Sequence, residues 1–191
     1  MKKLMLSSLM AAALISSSFV NAADYVIDTK GAHASIQFKI KHLGYSWLTG
    51  RFNTFEGNFS YDSNQPNKSS IAVEIDTASV DSNHAERDKH LKGSDFLAVS
   101  KFDKATFKST NITFSDATNG VVKGDFTLHG VTKNISFPVT KVGEGNDPWG
   151  GYRVGFTGQV SIKLADYGIE YNLGPASTHV EITLDVEGVR Q

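Results

Sequence analysis

The sequence contains no cysteine, and this absence excludes several kinds of structure and chemistry. Disulfide bridges, thiolate metal sites and thiol redox reactions all require that residue. Buried apolar surface and the backbone hydrogen bonds of regular structure must therefore stabilise the fold.

The chain also lacks an excess of either charge, since 19 Lys and Arg stand against 20 Asp and Glu. Domains that bind nucleic acid typically carry a basic patch or stripe, and this sequence shows none. We therefore predict no nucleic-acid partner.

Common catalytic motifs are missing as well. The sequence has no G-x-S-x-G motif, phosphate-binding loop or paired-carboxylate motif, and its polar residues suggest no set of nucleophile, base and oxyanion donors. It has no internal repeat or linker either. We predict one domain that is not an enzyme and needs no cofactor.

The one long apolar run spans residues 4–20 and follows Lys2 and Lys3, and small residues precede Ala23. This arrangement predicts a signal peptide over residues 1–22 and an exported domain over residues 23–191. An uncleaved membrane anchor is the alternative, which the shortness of the run and its five serines disfavour. Cleavage changes the net charge from −1 to −3, because it removes two lysines and no acid, and we expect no stable membrane insertion afterwards.

Strict alternation of apolar and polar residues dominates the exported domain. In the first clear case, Ile36, Phe38 and Ile40 alternate with polar residues, which is typical of a strand with one dry face. The pattern recurs often enough for about eight strands at regular spacing, which predicts an all-β fold, either a closed antiparallel barrel or a sandwich. The other segments lie near 50–61, 71–76, 104–115, 122–128, 135–139, 152–164 and 180–186.

The stretch HAERDKHLKG, residues 84–93, departs from this alternation. Asn83 is a suitable N-cap, with Glu86 three residues later, and Gly93 is a suitable stop, so the pattern predicts a helix over residues 84–92. The helix is too polar for a core element, so we expect it to lie across one end of the barrel. We expect three apolar residues to hold it there: Leu91, Phe96 and Leu97.

The two histidines of this helix do not form a metal site. His84 and His90 are six residues apart, which places them about 240° apart around a helix. We predict no metal site. One face of the helix would instead present His84, Arg87, Asp88 and Leu91, a cluster suited to a polar head group, while a solvated connector is the equally supported alternative.

Longer segments of the exported domain occur in a recognisable order. They read DYVIDTKGAHASIQFKIKHLGYSWLTGRFNTFEG, SVDSNHAERDKHLKGSDFL, FDKATFKST, LHGVTKNISFPV, GNDPWGGYRVGF and DYGIEYNLGPAS. Together they resemble the YceI-like family of bacterial periplasmic proteins over nearly the whole domain. The resemblance implies a lipocalin-like, eight-stranded antiparallel β-barrel in the periplasm. It further implies that the apolar lumen binds a polyisoprenoid or another long-chain amphiphile, such as an isoprenoid quinone or a prenyl phosphate, for transport or storage without catalysis.

A lumen of this kind would be lined by the inward-facing apolar residues of the strands. His42 shares the parity of Ile36 and would lie on the same face near the barrel rim. Arg87, with His84 nearby, would meet an anionic head group at the mouth, because a guanidinium forms two parallel hydrogen bonds to phosphate. The predicted lumen residues are Ile36, Phe38, Ile40, Phe59, Ile71, Val73, Phe126, Val154, Phe156 and Leu184.

Three alternatives remain from sequence alone. Twelve phenylalanines favour a packed barrel without ligand that acts through surface partners, whereas inward-parity glycines at 57, 124 and 158 favour an open lumen. An outer-membrane barrel has the same strand period, with its apolar face outward. A small enzyme using His42 or the helix cluster is the third. Pairing of two copies through an exposed strand edge is also left open.

Overall fold

The computed structural model describes residues 22–191, and the predicted signal peptide lies outside the described residues except for residue 22. These residues form eleven strand segments and one α-helix, α1 (Ala85–Lys92). The strands are β1 (Ala23–Ile27), β2 (Ser35–His42), β3 (Ser46–Phe52), β4 (Phe55–Tyr61), β5 (Ser70–Asp76), β6 (Val80–Asp81), β7 (Lys104–Phe114), β8 (Asn119–Leu128), β9 (Val131–Asn146), β10 (Tyr152–Lys163) and β11 (His179–Arg190).

The eleven segments correspond to eight strands of a closed antiparallel barrel. Three pairs of consecutive segments, β1 with β2, β3 with β4, and β5 with β6, each run along one barrel strand that is interrupted by a few residues. The remaining strands follow in chain order, each antiparallel to the one before it. The predicted eight-stranded antiparallel barrel is confirmed.

The last strand closes the barrel against the first. β11 pairs with β2 through its first half, where Ile182 lies opposite Phe38. It then pairs with β1 through its second half, where Arg190 lies opposite Tyr25. Closure therefore joins the two ends of the described chain and removes the free sheet edges.

The barrel has two different ends. The end that we call the helix end carries residues 82–103 with α1, the β2–β3 turn at 43–45, and the long connection 164–178 between β10 and β11. The opposite end, which we call the terminal end, carries the first residue of β1, the last residue of β11, and the turns at 62–69, 115–118 and 147–151. Each end therefore offers a different set of side chains to the interior.

The apolar faces of the strands point into the barrel. In β8, every second residue from Gly120 to Leu128 is buried, including Val122, Phe126 and Leu128, whereas the alternate residues are exposed or half-buried. The outer-membrane alternative requires the reverse orientation, because its apolar face must meet lipid. This orientation contradicts that alternative.

Helix α1 lies at one end of the barrel as predicted, but its cap differs from the prediction. Its first helical residue is Ala85, and His84 is the N-cap, because its backbone is extended and its Nδ1 accepts the backbone N–H of Arg87 at 3.2 Å. Asn83 instead adopts a positive φ of 59° and donates its N–H to Asp81 Oδ1 at 2.8 Å. Gly93 ends the helix as predicted. The imidazole of His84 thus accepts the capping hydrogen bond that the prediction assigned to the side chain of Asn83.

Candidate ligand-binding site

The barrel encloses a cavity of about 460 Å³. Its lining is almost entirely apolar and reaches from Arg87 and Leu173 at the helix end to Tyr61 and Ser69 at the terminal end. Pockets that bind small molecules have volumes of roughly 300–1,000 Å³ and mostly apolar walls. The cavity therefore has the size and the lining of a site for an apolar ligand.

Nine of the ten predicted lumen residues border this cavity. Val154 does not, although it faces inward and is only 1% exposed. It packs with Tyr25, Phe59 and Tyr61 in a cluster that fills the terminal end, where the Tyr25 and Phe59 rings stack at 4.9 Å. Val154 therefore lies within this aromatic cluster, and its predicted contact with a ligand stays a prediction. The nine that border the cavity are Ile36, Phe38, Ile40, Phe59, Ile71, Val73, Phe126, Phe156 and Leu184.

The inward-facing glycines open the lumen less than the sequence suggested. A methyl group at Gly124 would lie 2.4 Å from Phe107 Cζ, and one at Gly57 would lie 2.8 Å from Ile27 Cδ1, so neighbouring side chains already occupy both spaces. Gly158 does border the cavity. The open volume therefore comes mainly from incomplete filling by the large side chains. A fully packed barrel is contradicted.

Arg87 borders the cavity at the helix end and is firmly oriented there. Its Nε donates to Ser82 Oγ at 2.7 Å and its Nη2 donates to the Ser82 carbonyl oxygen at 2.6 Å. The Ser82 hydroxyl in turn donates to Asp88 Oδ1 at 2.5 Å. Two of the five guanidinium N–H groups are thus used for positioning, and three remain for other acceptors.

The predicted mouth histidines have different positions. His42 borders the cavity, as its strand parity indicated, whereas His84 does not, because capping directs its ring to the start of the helix. His90 was not among the predicted mouth residues, yet it borders the cavity together with Leu91. Its position three residues after Arg87 predicts this location, because residues three and four apart lie on the same face of a helix.

His90 also contacts both long connections at the helix end, residues 82–103 and residues 164–178. Its Nε2 lies 3.0 Å from Asp95 Oδ2, and its ring meets the edges of Phe96 and Tyr171 at centroid distances of 5.0 and 5.2 Å. Phe96 packs into the core beside Leu91 and Leu97, the three residues predicted to hold the helix. This cluster covers part of the cavity at the helix end.

Polar groups occur at the terminal end of the cavity as well. Ser69 Oγ is buried without a hydrogen-bond partner among residues 22–191. Lys141 donates to Glu144 at 2.8 Å and lies over the Tyr61 ring, and the Glu144 hydrogen bond raises the pKa of Lys141. This ion pair and the aromatic cluster both lie at that end of the barrel.

Outside the lumen, Asp28, His33 and Glu187 form the one group of three metal-ligand side chains found close together in the described part of the chain. Arg153 Nη1 occupies the centre of this group, at 2.6 Å from both Asp28 Oδ2 and Glu187 Oε1. Its guanidinium also donates to Asp147 through Nε at 2.7 Å. The guanidinium already compensates these carboxylates, so the cluster is explained as an ion-pair network.

No helix within residues 22–191 is both long enough and apolar enough to cross a membrane.

Comparison with known proteins gives a consistent result. A family model described as a YceI-like domain matches residues 25–188. A UPF0312 protein of Shewanella putrefaciens is 56% identical over 193 residues, and a UPF0312 protein of Shewanella oneidensis is 55% identical over 193 residues. Each of these matches covers 100% of both chains.

Solved structures share the fold. Burkholderia cenocepacia BcnA superposes with a TM-score of 0.76 at 21% identity, over 84% of this chain and 98% of that one. A YCEI protein of Campylobacter jejuni gives 0.72 at 26% identity, over 80% and 91%. A polyisoprenoid binding domain from Saccharophagus degradans, implicated in plant cell wall breakdown, gives 0.65 at 16% identity, over 89% and 99%.

Proposed function

Because this chain belongs to the YceI-like family, we propose that it is a periplasmic carrier that holds a polyisoprenoid or similar long-chain amphiphile in the barrel lumen. Transport or storage of that amphiphile is its role, and binding involves no catalysis. The observation that carries the proposal is the apolar cavity of about 460 Å³, which extends between the two ends of the barrel.

The lining of the cavity suits a long apolar chain. Burial of one methylene group from water contributes about 0.8 kcal/mol, so a chain of many such groups is held strongly by an apolar bore. The same energy makes a free isoprenoid nearly insoluble in water. A barrel with a dry interior and a polar exterior therefore gives the chain a soluble container.

The polar residues of the helix end indicate how the ligand is oriented. Arg87 borders the cavity and donates only two hydrogen bonds among residues 22–191, and His42 and His90 also border the cavity. An anionic head group at this end accepts charge-assisted hydrogen bonds from Arg87, while the chain extends toward the terminal end. A prenyl phosphate fits this arrangement best.

Two further points support the proposal. Residues 1–22 carry the features of a signal peptide, which accords with export to the periplasm. A domain that shares the fold is described as polyisoprenoid binding.

The test is native mass spectrometry of the exported protein purified from the periplasm without detergent, followed by organic extraction. We expect one isoprenoid-like molecule per barrel. Folded protein freed of that molecule should then take up geranylgeranyl pyrophosphate from solution. A folded protein that carries no ligand and takes up neither this probe nor an isoprenoid quinone would contradict the proposal.

A further inference from the structure

Four large apolar side chains are exposed at the helix end of the barrel. Tyr45 is 87% exposed, Leu43 is 55% exposed, and Trp47 and Tyr171 are close to half exposed. We call these four residues the apolar rim. Clustered apolar side chains exposed on a soluble domain mark an interaction site, whereas isolated ones need no explanation.

The apolar rim lies at the same end of the barrel as part of the cavity lining. Leu43 directly follows His42 and Trp47 directly precedes Leu48, and both neighbours line the cavity. The Ser177 hydroxyl donates to the carbonyl oxygen of Lys41 at 2.5 Å, which fastens the connection 164–178 to the β2–β3 hairpin. Tyr171 lies on that connection. Trp47 lies opposite Lys41 and faces away from the lumen, so the rim forms the outer side of the barrel end whose inner side lines the cavity.

Leucine is an unusual residue at position 43, because of the turn in which it lies. Leu43 and Gly44 have φ values of 52° and 85°, and the Tyr45 N–H donates to the His42 carbonyl oxygen at 2.9 Å, which is the geometry of a type I′ turn. Asn is the favoured residue at the first central position, and a leucine there is strained. Because Leu43 is exposed, packing within the chain does not account for its presence. Strain of this kind is often found at functional sites.

Lysines surround the exposed tryptophan. The amino groups of Lys39 and Lys41 lie 4.7 and 5.6 Å from the centroid of the Trp47 ring. Lys39 pairs with Glu181 at 3.0 Å, whereas Lys41 forms no ion pair within the described residues. Aromatic rings with neighbouring lysines are typical of surfaces that bind the interface of an anionic bilayer. Tyr171 follows the acidic residue Glu170, whereas Trp47 lies beside two lysines. Electrostatic attraction to an anionic bilayer is therefore strongest at the β2–β3 hairpin.

We propose that the β2–β3 hairpin docks this barrel onto an anionic lipid bilayer, with Leu43, Tyr45 and Trp47 inserted among the head groups. In this position the helix end of the lumen faces the membrane, and an amphiphile passes between bilayer and lumen without crossing water. The docking surface is separate from the cargo site, although the reason for docking rests on the proposed carrier function.

The test uses Trp47 as its reporter. The chain has two tryptophans, so a Trp149→Phe background leaves Trp47 as the only one. We expect phosphatidylglycerol vesicles to shift Trp47 emission to shorter wavelength and to bring the protein up with them in flotation. Vesicles of phosphatidylcholine alone should bind it much more weakly.

Leu43→Asn is the informative variant, because Asn suits the type I′ turn and removes the apolar anchor. We expect it to keep or raise the melting temperature and to weaken vesicle binding by about tenfold, and Tyr45→Ser should act in the same direction. Val142→Ser is the matched control, since Val142 is 73% exposed at the opposite end of the barrel. It should leave vesicle binding unchanged.

Several results would overturn the docking proposal. In these results the protein fails to float with phosphatidylglycerol vesicles, or it binds both vesicle types equally, or Val142→Ser weakens vesicle binding as much as Leu43→Asn does. Dimerisation that Leu43→Asn abolishes, without vesicle binding, would assign the rim to a second copy of the chain. Affinity for geranylgeranyl pyrophosphate in vesicle-free solution is measured separately, and Leu43→Asn should retain it. Loss of that affinity would place Leu43 in the cargo site, whereas absence of affinity in every form would contradict only the carrier function.

Discussion

At the residue scale, the head-group proposal depends on Arg87 and on what holds it. Ser82 and Asp88 orient the guanidinium beside the cavity, so little side-chain entropy is lost when an anion binds. An arginine on a freely moving side chain would contribute less. The value of Arg87 thus lies in its fixed position as well as in its charge.

We expect Arg87→Gln to weaken binding of geranylgeranyl pyrophosphate by about 10- to 100-fold, because hydrogen bonds to charged groups contribute roughly 1.5–3 kcal/mol. Affinity for the uncharged alcohol geranylgeraniol should change little. Lys89→Gln, on an exposed position of the same helix, is the matched control. Isothermal titration calorimetry of the four combinations measures the effect. Equal losses for the pyrophosphate and the alcohol would argue against a head-group role.

The histidines of α1 show what residue spacing predicts and what it leaves open. The helix and its general position follow from HAERDKHLKG, but helical spacing alone did not distinguish His84 from His90. The difference arises because His84 is the N-cap, outside the helix proper, while His90 lies on the turn that faces the barrel. An imidazole is an uncommon cap, so the usual cap preferences favoured Asn83.

At the element scale, alternation predicted the strands but not their interruptions. β1 and β2 follow one barrel strand, and residues 28–34 between them include Asp28, one of the partners of Arg153. Period two identifies which face of a strand is dry, but it carries no information on where a strand bends or breaks. The network of Asp28, Asp147, Arg153 and Glu187 stabilises this interruption.

The pH dependence of stability tests this network. Hydrogen bonds from His33 and Arg153 hold the pKa of Asp28 well below its usual range. A carboxyl group with a lowered folded-state pKa stabilises the fold above its unfolded pKa of about 4, and that contribution is lost as the pH falls toward the folded value. We expect the wild type to be more stable than Asp28→Asn at pH 7, and the difference to shrink below about pH 4. Thermal unfolding between pH 7 and 2 measures this, and parallel curves for the two proteins would refute it.

Close packing between neighbouring strands is tested by two glycine substitutions. Gly124→Ala places a methyl group 2.4 Å from Phe107 Cζ and 2.5 Å from the Lys108 carbonyl oxygen. We expect it to lower the free energy of unfolding by about 1–3 kcal/mol, as overpacking usually does. Gly145→Ala in β9 is the matched control, because no atom lies within 4 Å of the added methyl, and it should be neutral or slightly stabilising. Denaturant unfolding measures the free energy of unfolding of both variants. Equal values would show that β7 and β8 shift easily to accommodate the added methyl group.

At the scale of the whole molecule, the fold was more predictable than its interior. The number of strands, their antiparallel order and the helix across one end follow from alternation, turn positions and the family resemblance. The volume of the lumen does not follow, because Gly57 and Gly124 face inward, yet neighbouring side chains fill their space. Whether large residues meet or leave a gap depends on their rotamers in three dimensions. The same limit explains why Val154 has the right parity and no contact with the cavity.

A substitution that narrows the bore tests the carrier proposal directly. Val160 lines the cavity in the half of β10 nearer the helix end, so Val160→Trp should obstruct the lumen and lower the affinity for geranylgeranyl pyrophosphate at least tenfold. Val121→Trp is the matched control, since Val121 faces outward from β8 and is 41% exposed. Both proteins should remain folded by circular dichroism. Unchanged affinity in Val160→Trp would place the ligand elsewhere.

The pairing of β1 with β11 determines when the container can exist during folding. Neighbouring strands elsewhere in the barrel are also neighbours in sequence, so most of the sheet can form locally and early. Tyr25 and Arg190, however, meet only after nearly the whole chain is available. Until then the molecule is an open sheet with two exposed edges and no enclosed bore. An incomplete chain therefore has no lumen, and under the proposed carrier function the same last step gives a moment at which a lipid beside the sheet can be enclosed as the barrel closes.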